Sequence, residues 1–307
     1  WHPEFIAKKG SESSVLVVGA GPAGLEATRA LGQRGYRVTL AEATRELGGR
    51  VTRESKLPGL SEWQRVRDYR LQQIDVMPNV EVFRESELSV DEVLAVEADH
   101  IVFATGATWR ADGFGRSHLH PLTTLSSGAR ILTPDDIMAG HLPDGPTVIF
   151  DDDSFYMGGV IAEQVRCANV PVSVVTPENV VSAWCEYTSE QYQVQKHLLE
   201  LGVEIKTAHS LLAYDGREVT ISCTHTGRQQ SIKADALIMV TARRPRDELY
   251  QALKQRMEGE AQTPFRSVRR IGDCEAPAII AAAVYAGHRY ARELDTEPDP
   301  DVPLKLE

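Results

Sequence analysis

The sequence predicts an α/β protein of two doubly wound parallel-sheet domains, the second inserted into the first. Three observations predict it. An apolar, β-branched run, Ser14-Val15-Leu16-Val17-Val18, drops directly into Gly19-Ala20-Gly21-Pro22-Ala23-Gly24. From Pro146 the same order of strand, helix and strand recurs, and the strand-like segment Asp99 to Ala107 is echoed by Ala234 to Ala242. An internal repeat of this kind is a stronger architectural sign than either half alone. The expected first domain is 1–143 with 245–307, and the expected second is 144–244.

The opening unit carries the most specific chemistry. The run before Gly19 reads as a fully buried strand, and the glycines follow the G-x-G-x-x-G pattern of a Rossmann-like, FAD/NAD(P)-binding type of domain. Gly19 allows the tight turn, Gly21 admits a pyrophosphate, and Gly24 lets helix and strand pack closely. Pro22 and Ala23 open a helix expected over Pro22 to about Arg34, whose free N–H groups and dipole make an anion site. Gly35 stops that helix. A strand over Tyr36 to Leu40 then ends at Glu42, where an acid that accepts a ribose hydroxyl is expected. The alternative is a βαβ unit that keeps its glycines for packing alone.

Composition bounds the rest. The chain has 307 residues, enough for two cores, with apolar and charged fractions of 42% and 25% that are ordinary for a globular protein. A formal charge of -11 argues against nucleic acid and an anionic membrane surface as partners. Cys167, Cys185, Cys223 and Cys274 are widely spaced, without the clustering of a zinc or iron–sulfur site, and read as reduced thiols. The apolar stretch Ala276 to Ala286 is too short to span a bilayer and no signal-peptide pattern opens the chain, so a cytoplasmic protein is expected. A start at Trp1 and a Leu306-Glu307 end resembling a cloning scar suggest a piece of a longer protein.

Further along, Leu47-Gly48-Gly49-Arg50 forms a second glycine turn, read either as a nucleotide neighbour or as an ordinary loop. Arg65, Arg67 and Arg70 lie on a polar helix whose cations are expected to be solvated. Asn79 to Phe83 is read as a strand and Val90 to Val96 as a helix. The buried strand from Asp99 ends in Ala104-Thr105-Gly106, small residues that let a ligand or a neighbouring backbone pass close by. Trp109 to Pro146 is read as connection, with one short helix at Thr133 to Ala139; His118 and His120 there lack a third ligand and are read as loop histidines.

The second unit repeats the architecture but not the chemistry. Thr147 to Phe150 is the strand, Ile161 to Val165 begins the helix, and Val172 to Val175 is the next strand. Where the first turn is Gly-Ala-Gly, this one is Asp151-Asp152-Asp153, three carboxylates expected to face the place of a pyrophosphate, and the following strand ends in Thr176-Pro177 with no acid for a ribose. Conventional NAD(P)H binding is not expected there. After a helix from Asp247 to about Met257, a late strand reaches Ile271-Gly272-Asp273 before a small-residue helix, Ala276 to Ala291. Asp273 is read as an acceptor for a ribityl chain or a neighbour of the pyrophosphate, against plain helix capping.

With these landmarks in order, the chain resembles the two-dinucleotide-domain flavoproteins. More narrowly, it is similar to the C-terminal portion of the trimethylamine dehydrogenase and histamine dehydrogenase family, within the NADH:flavin oxidoreductases. The carriers are Trp1-His2-Pro3-Glu4, Leu57-Pro58-Gly59-Leu60-Ser61-Glu62-Trp63, Arg67-Asp68-Tyr69-Arg70, Ala104 to Trp109, Tyr156-Met157, Gly272 to Pro277, and Gly287-His288-Arg289. The resemblance implies an FMN barrel and a 4Fe-4S cluster in an N-terminal part outside this chain, with electrons passing to an electron-transferring flavoprotein. It also implies FAD or ADP at the first Rossmann site, held by Gly19, Gly21, Pro22, Ala23, Gly24, Glu42, Gly49, Arg50, Thr105, Gly106, Gly272 and Asp273. No catalytic or metal-binding residue is assigned. Three functions follow: a nucleotide-binding module of an amine-oxidising iron–sulfur flavoprotein, a stand-alone FAD-dependent NAD(P)H oxidoreductase, and a non-redox nucleotide-binding scaffold.

Overall fold

The computed structural model describes residues 6–258 and 264–295. The Trp1-His2-Pro3-Glu4 motif and Leu306-Glu307 lie outside the described residues. In chain order the first elements are β1 (Ser14–Val18), α1 (Pro22–Arg34), β2 (Arg37–Ala41), α2 (Arg50–Glu54), α3 (Gln64–Asp75), β3 (Val80–Phe83), α4 (Val90–Ala95), β4 (His100–Phe103) and β5 (Ala107–Trp109). Next come β6 (Ile131–Leu132), α5 (Pro134–Met138), β7 (Thr147–Asp151), α6 (Tyr156–Cys167), β8 (Val172–Val175), α7 (Gln191–Glu200), β9 (Glu204–Lys206), β10 (His209–Tyr214), β11 (Glu218–Cys223) and β12 (Gln229–Lys233). The chain then adds β13 (Ala236–Val240), β14 (Arg243–Pro245), α8 (Glu248–Glu258), β15 (Ser267–Arg270) and α9 (Ile280–Glu293).

Two compact units result. One comprises Trp1–Thr52, Trp63–Ala107 and Pro245–Glu307; the other comprises Arg53–Glu62 and Thr108–Arg244. The first holds a parallel sheet in the order β15-β4-β1-β2-β3. Because successive strand residues face opposite sides, β1 feeds two cores. Val15 and Val17 pack with Leu25, Leu31, Val38 and Leu40, while Leu16 and Val18 pack with Ile101, Phe103, Leu253 and Phe265. α1 ends as the sequence predicts: Gly35, at φ 98°, takes the left-handed C-cap position and returns its N–H to Leu31 and Gly32.

The second unit repeats the parallel sheet as β6-β13-β7-β8-β9 and adds an antiparallel sheet, β10-β11-β12, to which the sequence reading assigned nothing. Leu211, Tyr214, Val219 and Ile221 of that sheet share a core with Val148, Phe150 and Met239. The connection after Trp109 is less bare than expected, since it contributes β6 to the edge of the parallel sheet. Its short helix α5 carries the expected cap: the Thr133 hydroxyl and the Asp136 carboxylate form a reciprocal capping box. Two helix starts differ from expectation. α6 begins at Tyr156, five residues before Ile161, and α9 begins at Ile280 rather than Ala276. Pro277 disfavours a helical conformation at Ala276, and the Asp273 carboxylate claims the Ala278 N–H at 3.0 Å, so the chain stays extended until Ile279.

The polar helix α3 is also corrected. Arg67 and Arg70 are each only 12% exposed and are not a solvated face. Arg70 donates to Glu26 of α1 at 2.7 Å, and Arg29 and His288 converge on the same carboxylate, which is 3% exposed. Burial pushes the Glu26 carboxyl up, but Arg29, Arg70 and His288 outweigh it and hold it below 4.5. Its contribution to stability is therefore present above the unfolded value and lost as pH falls through the folded one. Glu26→Gln leaves two buried guanidinium groups without their counter-charge, and urea unfolding at neutral pH is expected to show a loss of about 3–5 kcal/mol.

Candidate functional site

The site is built where β1 hands over to α1. Gly19 sits at φ 102°, and a Cβ there would come within 2.5 Å of the Ala104 carbonyl at the end of β4. Gly24 is tighter still, because a Cβ would meet the Gly19 carbonyl at 1.9 Å. Both glycines are required by the backbone itself. Gly21 differs: a Cβ there would meet nothing within 4 Å. Its bareness faces open space, as expected where something other than protein approaches the turn. α1 follows without a side-chain cap or an acid in its first turn, and Pro22 occupies a position whose N–H would be unbonded anyway. The uncapped N–H groups and the dipole suit an anion.

Four further segments converge on this turn. The Gly48 N–H donates to the Ala20 carbonyl at 2.8 Å, and a Cβ on Gly49 would sit 3.0 Å from the Gly21 Cα, so the second glycine turn lies against the first. The Glu42 carboxylate accepts from the Ala20 N–H at 2.8 Å through Oε2, and from the Thr44 N–H at 3.0 Å and hydroxyl at 2.8 Å through Oε1. Gly272, at φ 62°, brings the late Gly-Asp motif within 2.6 Å, counted from a Cβ, of the Ala23 methyl. Asp273 is 6% exposed, and Arg50 donates from Nη1 to its Oδ2 at 2.8 Å and to the Ala278 carbonyl at 2.9 Å. Thr105 meets the turn through its backbone, its N lying 3.2 Å from where a Cβ on Gly19 would be, while its side chain and Gly106 turn to the returning chain. The Thr105 hydroxyl donates to the Arg246 carbonyl and lies 3.0 Å from the Cys274 sulfur, and the Gly106 carbonyl accepts from the Arg246 N–H at 2.9 Å.

The corresponding turn of the second unit corrects the expectation of three outward carboxylates. Asp151 is fully buried, and a Cβ on Gly158 would sit 2.4 Å from its Cγ and Oδ2. Its Oδ1 accepts from the Ser154 N–H at 2.9 Å, while Oδ2 has no partner. Asp152 turns toward the loop at Ser117, accepting from its N–H at 2.9 Å and its hydroxyl at 2.6 Å. The start of α6 is thus filled by the chain's own carboxyl. Burial, with Asp153 adding to it, pushes the Asp151 acid up to about 8. Outside this turn, Phe155 stacks on Trp184 and Trp184 on Tyr187, at 5.7 and 5.6 Å between centroids. His118 is held by the Ser210 hydroxyl at 3.2 Å, and among the described residues no group of three or more His, Cys, Asp or Glu could hold a metal ion.

The sequence reading missed the arginines around the first glycine turn. Arg45, Arg67 and Arg84 line a single groove with Leu47 and Leu71. Arg45, three residues after Glu42, was the available signal; Arg84 reaches the groove only through the pairing of β2 with β3.

Comparison with known proteins agrees with this geometry. Residues 13–133 match the pyridine nucleotide-disulphide oxidoreductase family. The chain is 34% identical to dimethylamine dehydrogenase of Hyphomicrobium sp. (strain x), over 100% of this chain and 45% of that protein. Histamine dehydrogenase from Rhizobium sp. 4-9 superposes with a TM-score of 0.95 at 47% identity, covering 100% of this chain and 45% of its own. The 6-hydroxypseudooxynicotine amine oxidase of Pseudomonas geniculata N1 gives a TM-score of 0.91 at 41% identity, over 96% and 44%. The chain therefore spans about half the length of the relatives it matches. The matching domain is one that binds a flavin or another nucleotide.

Two predictions follow from the paired turns. Gly21→Ala is expected to change unfolding free energy by less than about 1 kcal/mol, yet to weaken nucleotide binding at least about tenfold by calorimetry; Gly24→Ala is expected to cost about 3 kcal/mol or more in stability. In the second unit, the raised Asp151 makes the folded state bind more protons than the unfolded state between about pH 4 and 8. Stability should then fall as pH rises through that window and level off above it. Melting temperatures at pH 5 and pH 8.5 check this: Asp151→Asn should show a smaller drop than the parent.

Proposed function

We infer function from membership: the chain belongs to the C-terminal, dinucleotide-binding portion of the trimethylamine dehydrogenase and histamine dehydrogenase family of NADH:flavin oxidoreductases. We propose that it holds ADP, rather than FAD, at the Gly19 turn, as a fixed structural nucleotide of an amine-oxidising flavoprotein. The observation that carries the choice is the Arg50–Asp273 pair. An FAD would use Asp273 as an acceptor on the ribityl side of the pyrophosphate, and here Arg50 neutralises that carboxylate through one oxygen while the other accepts from the Ala278 N–H, which weakens it as an acceptor without exhausting its lone pairs. Arg50 is itself fastened to the Ala278 carbonyl, which holds the charged, part-buried pair in place.

On this reading Gly19, Gly21, Pro22, Ala23 and Gly24 receive the pyrophosphate at the start of α1, with Gly49 closing the turn from the other side. Glu42 keeps lone pairs for a ribose hydroxyl beyond those used by Ala20 and Thr44. Asp273 fixes Arg50, and Thr105 and Gly106 hold the returning chain at Arg246. ADP supplies no electrons; it supplies two phosphates that neutralise the helix N-terminus and join the segments around it. We place the amine chemistry, with FMN and a 4Fe-4S cluster, in the remainder of a protein about twice this length, and an electron-transferring flavoprotein as its acceptor. The second unit, whose turn is filled by Asp151, takes no pyridine nucleotide.

Heat release and chromatography of the ligand test the choice. A colourless adenosine 5′-diphosphate, with or without a further phosphate on its ribose, is expected from the purified chain, and flavin absorbance in the released fraction would overturn it. Arg50→Ala frees Asp273, so the ratio of FAD to ADP retained after incubation with both is expected to rise several-fold.

A further inference from the structure

A groove of about 570 Å³ lies at the loops that follow β2 and β3, against α3. The two loops are joined there: the Glu42 N–H donates to the Phe83 carbonyl at 2.8 Å, the Ser86 N–H to the Glu42 carbonyl at 2.8 Å, and the Glu85 N–H to the Thr44 carbonyl at 3.2 Å. Leu47 and Leu71 form apolar walls, and Arg45, Arg67, Arg84 and Glu46 complete the lining. Arg67 is anchored, by Glu46 at 3.2 Å, Asp68 at 2.8 Å and the Thr52 hydroxyl at 3.2 Å. The side chains of Arg45 and Arg84 make no hydrogen bond or ion pair among the described residues. In a chain of net charge -11, where Arg29, Arg50, Arg67 and Arg70 are all matched to acids, two unmatched cations on one groove mark a place of positive potential.

We propose that this groove is an anion subsite for the adenosine end of the bound nucleotide, and that the preferred ligand is an adenosine 5′-diphosphate whose ribose carries a further phosphate monoester. The inference rests on the placement of a nucleotide at the Gly19 turn. A phosphate there suits guanidinium groups, which offer planar, paired donors that stay charged. The nearby acids are already engaged. Glu42 accepts from the Ala20 N–H and from the Thr44 N–H and hydroxyl, and Glu46 is paired with Arg67. One ribose hydroxyl can meet Glu42 while the phosphate on the other meets Arg45 and Arg84, with the purine against Leu47 and Leu71.

Calorimetry on the whole ligand-stripped chain tests this with four probes: ADP, its 2′-phosphorylated form, its 3′-phosphorylated form, and inorganic phosphate. At low salt at least one ribose-phosphorylated form is expected to bind tenfold or more tightly than ADP, and the two arms identify which hydroxyl carries the phosphate. That advantage should shrink on raising salt, since exposed charges are screened. It should disappear in Arg45→Gln/Arg84→Gln, whose ADP affinity and far-ultraviolet circular dichroism stay at parental values. Equal affinity for ADP and both phosphorylated forms overturns this inference alone, as does a preference that survives the double substitution. Tight binding of inorganic phosphate without any preference among the nucleotides also overturns it. If no nucleotide binds, the placement at Gly19 and this subsite both fail.

Discussion

The first unit depends on how closely backbone can approach backbone at the start of α1. The Gly19 carbonyl lies 1.9 Å from where a Cβ on Gly24 would be, and the Ala104 carbonyl lies 2.5 Å from where one on Gly19 would be. The same closeness recurs at the back of the helix, where a Cβ on Gly287 of α9 would come within 2.2 Å of the Ala23 carbonyl. Glycine at these positions lets β1, β4, α1 and α9 meet with no side chain between them. Everything that touches the turn from outside, including Gly49, Arg50, Gly272 and Asp273, is placed by that contact. A side chain at Gly24 or Gly287 would push those groups out of reach before it touched any ligand.

The two units solve one electrostatic problem differently. A helix that starts at the end of a central parallel strand presents unbonded N–H groups and a partial positive charge. In the first unit that charge is left uncapped and open at Gly21. In the second, the fully buried Asp151 lies against Gly158 in the first turn of α6, and its acid is pushed up to about 8 by burial and by Asp153. An internal acid is available without any ligand, but it is expensive to ionise in such a place. Each unit thus trades one requirement for another: an outside anion in the first, a buried proton in the second.

Much of this was legible in the sequence where a rule acts within a few residues. β1, α1, β8 and the Thr133 cap fell where apolar runs, glycines and capping residues put them. The helix starts at Tyr156 and Ile280 were misplaced because each depends on a contact with a carboxylate upstream: Asp151 beneath Gly158, and Asp273 claiming the Ala278 N–H. The antiparallel sheet was unread for a different reason. Its strands bury single residues such as Leu211 and Ile221 among polar neighbours, a pattern too short to stand out. Arg70 looked solvated because its partner, Glu26, is 44 residues away on another helix. The groove at Arg45 and Arg84 is non-local in the same sense, since it exists only once β2 and β3 are paired.

Charge is also distributed around the glycine turn in a way that bears on stability. Near the glycine turn, Arg50 and Asp273 neutralise each other at 2.8 Å, whereas the side chains of Arg45 and Arg84, which line the groove, are left unmatched. Like charges facing one groove raise the free energy of the ligand-free fold, though solvent keeps the penalty small. A nucleotide that binds only the folded state removes that penalty and adds its own linkage, about 2.7 kcal/mol when present at a hundred times its dissociation constant. That gain is comparable to what one well-packed core side chain contributes. A nucleotide without redox chemistry could be retained for the stability it adds, because the uncapped helix start and the second glycine turn against it are polar surfaces suited to an anion.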